Sequence, residues 1–111
     1  MDKKILKDEY KKREITGGVY RLINTRNGSY LLGYAIDLQA RENRFNFQVA
    51  SNSCPNPKLK SDWQMFGGQA YIFEVLETIA KKEAQTDNEF VDDLMMLEEL
   101  WSEKLGSSNR Y

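Results

Sequence analysis

The chain has 111 residues, a length that fits one domain with a modest core. Hydrophobic residues make up 41%, charged residues 30% and aromatic residues 12%, which excludes a disordered composition. One cysteine and no histidine exclude an internal disulfide, a cysteine zinc cluster, and Ser-His-Asp or Cys-His catalysis.

The net charge of −1 names no partner, but its distribution is uneven. Residues 1–14 carry six basic and four acidic side chains, and residues 15–76 carry the same numbers, a net of +2 each. Residues 77–104 carry three basic and nine acidic side chains, a net of −6. The first two thirds suit a phosphate backbone and the last third repels one; the plainer reading of the acidic stretch is a solvated helix face. Met1-Asp2-Lys3-Lys4 is followed by no apolar run, so neither a signal peptide nor a membrane span is expected. The cytosol is the default compartment.

In chain order, residues 1–16 alternate charge and read as a solvated helix or loose arm that Ile5, Leu6 and Tyr10 would dock. Gly17-Gly18 marks either a close backbone approach or a bend at a sheet edge, and the bend is the simpler reading. Val19 to Ile23 is rich in β-formers, Asn27-Gly28 signals a tight turn, and Ser29 to Leu32 follows, so a β-hairpin is predicted. Asp37 suits the N-cap of a helix from Leu38, with Leu38, Phe45 and Val49 on one stripe. Residues 51–57, with two prolines, form a loop. Leu59, Trp63 and Phe66 mark a second short helix, stopped by Gly67-Gly68. Tyr71 to Leu76 is a third strand, apolar enough to be central, and residues 79–88 form a polar connector. Phe90, Leu94, Leu97 and Trp101 define a last amphipathic helix ending near Gly106, with residues 107–111 as a loose tail. The order predicts an α+β domain over residues 17–106: a three-stranded antiparallel sheet flanked by helices.

Two charges sit among apolar neighbours. Arg41 lies three residues after Leu38 and four before Phe45; Glu98 lies four after Leu94 and three before Trp101. A partly buried charge requires a partner or ligand. The plainer alternatives are that each reaches solvent at the stripe edge, or that they pair. Tyr20 and Tyr30 are either exposed phenols or cross-strand packing, with packing favoured.

At these residues the chain resembles the GIY-YIG nucleases. Gly18-Val19-Tyr20 matches the first element and Leu31-Leu32-Gly33 occupies the second. Asn24, Asn27-Gly28, Asp37-Leu38, Arg41, Pro55-Asn56, Asp62-Trp63, the strand Phe73 to Leu76 and Glu98 follow in order, so the match runs from about Gly18 to Lys104. The resemblance implies hydrolysis of a DNA phosphodiester with one divalent metal, Mg²⁺ or Mn²⁺. Tyr20 would deprotonate or orient the attacking water, Arg41 would hold the scissile phosphate with Asn56 also at the substrate, and Glu98 would bind the metal.

Three positions depart from the pattern. Leu31 stands at the second tyrosine, Phe45 at a helix histidine and Cys54 at a loop histidine. Tyr30 is adjacent to Leu31, but strand alternation points it to the opposite face. General acid–base help is worth about 10²–10⁴-fold, so these losses imply weak or lost cleavage. Three readings follow: a metal-dependent endonuclease with a reduced site of Tyr20, Arg41 and Glu98; an inactive relative that binds nucleic acid or protein; and a small structural domain. Leu31 and Phe45 are expected to be buried beside Tyr20.

Overall fold

The computed structural model describes residues 15–111; the arm expected before residue 15 lies outside them. Strands β1 (Thr16–Asn24) and β2 (Tyr30–Ala35) form the predicted antiparallel hairpin, with Tyr20 opposite Gly33. The connection spans residues 25–29 and is not a two-residue turn. Only Gly28 takes a positive φ, of 79°. Asn27 instead accepts the Ser29 N–H on its side chain, and Asn24 accepts the Arg26 N–H. These side-chain bonds close the loop without a left-handed asparagine.

Strand β3 (Tyr71–Ala80) pairs antiparallel with β1 on the side away from β2, so the order is β2-β1-β3. The central strand is therefore β1, and the expectation of a central β3 is corrected. Ile72 and Val75 of β3 are 48% and 44% exposed, as an edge position allows. The strand also takes up residues 79 and 80 of the predicted connector. One extra residue of β3 interrupts the ladder opposite the Val19–Tyr20 step, a β-bulge.

Helix α1 (Leu38–Ala50) begins as predicted, with the Asp37 carboxylate accepting the Ala40 N–H. Helix α2 (Lys60–Phe66) ends at Gly67, whose φ is 82°. Helix α3 (Asp87–Leu105) starts with a capping box between Thr86 and Glu89. Both faces of the sheet are covered. On one, Tyr20, Leu22, Leu38, Phe45, Leu59, Trp63 and Tyr71 form a core under α1 and α2. On the other, Val19, Tyr30 and Leu32 pack with Leu97, Trp101 and Leu105 of α3. Tyr30 thus faces away from Tyr20, as alternation requires. The result is the predicted α+β domain, and no helix among the described residues is long and apolar enough to cross a membrane.

Two expectations about chain ends and glycines are corrected. Residues 107–111 are docked, not loose. The Tyr30 N–H donates to Asn109 O and the Tyr111 N–H to Tyr30 O, both at 2.9 Å. The Tyr111 hydroxyl donates to Asp62 at 2.7 Å, lies 2.8 Å from the Tyr71 hydroxyl and accepts from Asn24 at 3.2 Å. The outer edge of β2 offers unpaired backbone groups, and the tail fills them. Hydrogen bonds from Tyr111 and Asn27 hold the Asp62 carboxyl below its ordinary range. Gly17 and Gly18 lie inside β1 and serve close approach, not a bend. A Cβ at Gly17 would lie 2.7 Å from the Phe90 ring, and one at Gly18 would strike the Glu77 carbonyl oxygen. Because the obstacle at Gly18 is backbone, Gly18→Ala is expected to cost about 1–3 kcal/mol. An unchanged urea-denaturation midpoint for that variant would contradict this packing.

Candidate functional site

The bulge and the hairpin register fix Tyr20 first. Its ring stacks on Phe73, with centroids 4.6 Å apart and 14° between planes. On the β2 side it lies across Gly33: a Cβ there would come within 2.8 Å of the Tyr20 hydroxyl oxygen. Only a residue without a side chain lets the phenol lie down over β2 and reach the sheet edge.

Helix α1 brings Arg41 over the same ring, its guanidinium carbon 5.8 Å from the centroid, within cation–π range. Arg44 follows three residues later on the same helix face. Helix α3 brings Glu98, half-buried, one turn beyond the fully buried Leu94. Although α1 and α3 cover opposite faces of the sheet, their side chains converge where β2 ends. Tyr20, Gly33, Tyr34, Asp37, Arg41, Arg44 and Glu98 line one concavity of about 600 Å³. The three residues singled out in the sequence are therefore brought together.

The electrostatics give each group a state. Burial raises the Tyr20 pKa above the ordinary phenol value; Arg41 and Arg44 oppose this and Glu98 adds to it. At neutral pH Tyr20 is a neutral hydroxyl, able to donate a hydrogen bond but poor as a proton acceptor. Burial likewise raises the Glu98 pKa, with Arg110 pulling it back. Glu98 is a single hard carboxylate, and the described residues contain no group of three or more His, Cys, Asp or Glu placed to hold a metal. That donor set fits a Mg²⁺-type ion that keeps most of its waters, and not an all-protein cage.

Phe45 is 5% exposed and lies with Leu31 in the core that holds Tyr20. Its ring is 6.1 Å from that of Phe73. Leu31 and Phe45 thus belong to the core behind Tyr20 and do not line the concavity. Cys54 and Asn56 are not brought to it. They line a separate pocket with Asn52, Lys60 and Gln64, where the Cys54 thiol donates to Asn56 O and Asn56 caps a 3₁₀ turn at Lys58. Sequence reasoning missed Arg44, Tyr34 and Arg110. Arg44 was detectable from its three-residue spacing to Arg41; Arg110 carried no signal, because the tail's partners are distant in sequence.

No protein-family model matches the sequence, and no curated protein matches it. Solved structures do. The catalytic domain of the homing endonuclease I-TevI superposes with a TM-score of 0.63 at 23% identity, covering 86% of this chain and 95% of that one. A point mutant of the same intron endonuclease domain gives 0.64 at 22% identity, covering 87% and 92%. At these identities the likeness establishes the fold, and it is the fold that the sequence resemblance implies.

The raised Glu98 pKa has a stability consequence. A group whose pKa is higher folded than unfolded stabilises the fold while protonated, and that contribution is lost as pH rises through the folded pKa. Burial therefore makes the ionised form of Glu98 a cost to the fold. Glu98→Gln is expected to raise the melting temperature at pH 7, and the gain should vanish below about pH 4, near the unfolded pKa. Equal melting temperatures at pH 7 would show that burial does not govern this carboxyl.

Proposed function

We propose that the domain is a GIY-YIG-type endonuclease that cleaves DNA phosphodiesters slowly and with a divalent metal. The observation that carries this is the convergence of Tyr20, Arg41 and Glu98 on one concavity at the β2 edge. A phosphate fits the two guanidinium groups of Arg41 and Arg44, which offer planar donors to its oxygens. Because both act as fixed charges close to the reacting phosphorus, they favour the more charged transition state over the substrate. The neutral Tyr20 hydroxyl donates to the phosphate or orients the attacking water. Glu98 would hold the metal, which when bound would polarise the phosphate and the leaving oxygen. Leu31 and Phe45 are apolar and the buried Tyr20 phenol stays protonated at neutral pH, so these three positions supply no general base. Missing proton transfer costs about 10²–10⁴-fold, which makes the turnover low.

DNA is the partner that this chemistry favours. Binding would be mostly phosphate contact, entering from the α1 side, because α3 exposes Asp92, Asp93, Glu99 and Glu103. Apolar replacement of the supporting groups also favours a second reading, in which the site binds DNA without cutting it.

Plasmid nicking in Mg²⁺ or Mn²⁺ separates the two. The wild-type chain is expected to nick slowly, Arg41→Ala to lose about 10²-fold or more, and Glu98→Ala to lose metal dependence. Adding Leu31→Tyr and Phe45→His should speed nicking, and should not do so on the Arg41→Ala background. Cys54→His, which alters the other pocket, should add nothing. Plasmid binding that depends on Arg41, with no nicking in either metal, would select the second reading. Neither binding nor nicking would remove both.

A further inference from the structure

The segment after α3 does more than fill the β2 edge. Backbone pairing places Arg110 beside Tyr30, and the Tyr111 side chain is held by Asp62, Tyr71 and Asn24. With both neighbours fixed, Arg110 is delivered to α3, where its Nη1 donates to Ser102 Oγ at 2.6 Å. Ser102 lies four residues after Glu98, on the same helix face. Arg110 and Glu98 accordingly line a common pocket with Tyr34, Glu99 and Ser102. That pocket adjoins the concavity, since Glu98 and Tyr34 line both.

We propose that Arg110 is a positioning residue that competes with the divalent cation for Glu98, so that the docked segment sets the metal affinity of the site. The inference rests on the reading of Glu98 as the metal ligand. A fixed guanidinium beside a half-buried carboxylate supplies part of the countercharge that the carboxylate needs, and a second cation arriving there meets repulsion at short range. The hydrogen bond to Ser102 tethers the exposed guanidinium to α3. Arg110 lies beyond the stretch that resembles the nuclease pattern, and it adds a control that the concavity alone does not contain.

Direct Mn²⁺ binding to the full chain, measured by titration calorimetry without DNA, tests this. All variants are titrated at the same pH, about 8. Arg110→Gln is expected to bind Mn²⁺ roughly tenfold more tightly than wild type, as loss of a nearby unit charge predicts. Arg110→Lys should stay close to wild type. Ser102→Ala, which frees the guanidinium while leaving the Tyr111 anchor intact, should shift affinity in the same direction as Arg110→Gln. Unchanged or weaker binding in both Arg110→Gln and Ser102→Ala, with Glu98→Ala still abolishing binding, would overturn the competition and leave the metal ligand standing. Wild-type affinity in Glu98→Ala would overturn both.

Discussion

The site depends on one packing constraint: the Tyr20 ring must lie flat between Phe73 and the bare backbone of Gly33. Tyr20 sits on the central strand, covered on the α1 face, and a side chain on Gly33 would lift the ring from β2. The ring in turn forms the surface over which the Arg41 guanidinium rests. With the ring in place, the phenol points at the end of β2, where residues from α1 and α3 can both reach it. The β-bulge beside Tyr20 belongs to the same arrangement, since bulges re-aim strands next to functional sites.

This geometry reconciles two features that conflict in a simple layered picture. Helices on opposite faces of a sheet do not normally share a site, because the sheet stands between them. Here the sheet has three strands among the described residues. Side chains from α1 and α3 therefore meet around its β2 edge, and a site can join an arginine-bearing face to a carboxylate-bearing one. The separation keeps the acidic surface of α3 away from the arginines, so that from α3 only Glu98 and the apolar Val91 line the concavity.

Much of this was legible in the sequence because it is local. The N-cap at Asp37, the stops at Gly67 and Gly106, and the hairpin all follow from residues within a few positions of each other. Arg41 and Glu98 stood out because charges interrupted apolar stripes. Strand order was not legible: β3 is apolar, yet it lies at the edge, and pairing partners are chosen across the chain by packing on β1. The docked tail was hidden for the same reason, since Tyr111 meets Asn24, Asp62 and Tyr71 only in the folded chain. Arg110 was hidden with it. Asn56 and Cys54 were misplaced because matching a pattern fixes their order along the chain, whereas the loop that carries them folds toward α2.

Phe45 lies in the core that supports Tyr20 and Leu31 packs against it, so both side chains serve the frame of the site. The central claim is that a phosphodiester seats in the concavity beside Tyr20. The most direct test is a titration of the ¹⁵N-labelled chain with a short DNA duplex, without divalent metal, followed by amide chemical shifts. The account predicts shifts concentrated at Gly33, Ala40, Arg41 and Arg44. Shifts concentrated instead at Asn52, Lys60 and Gln64, with the Tyr20 surroundings unmoved, would contradict it.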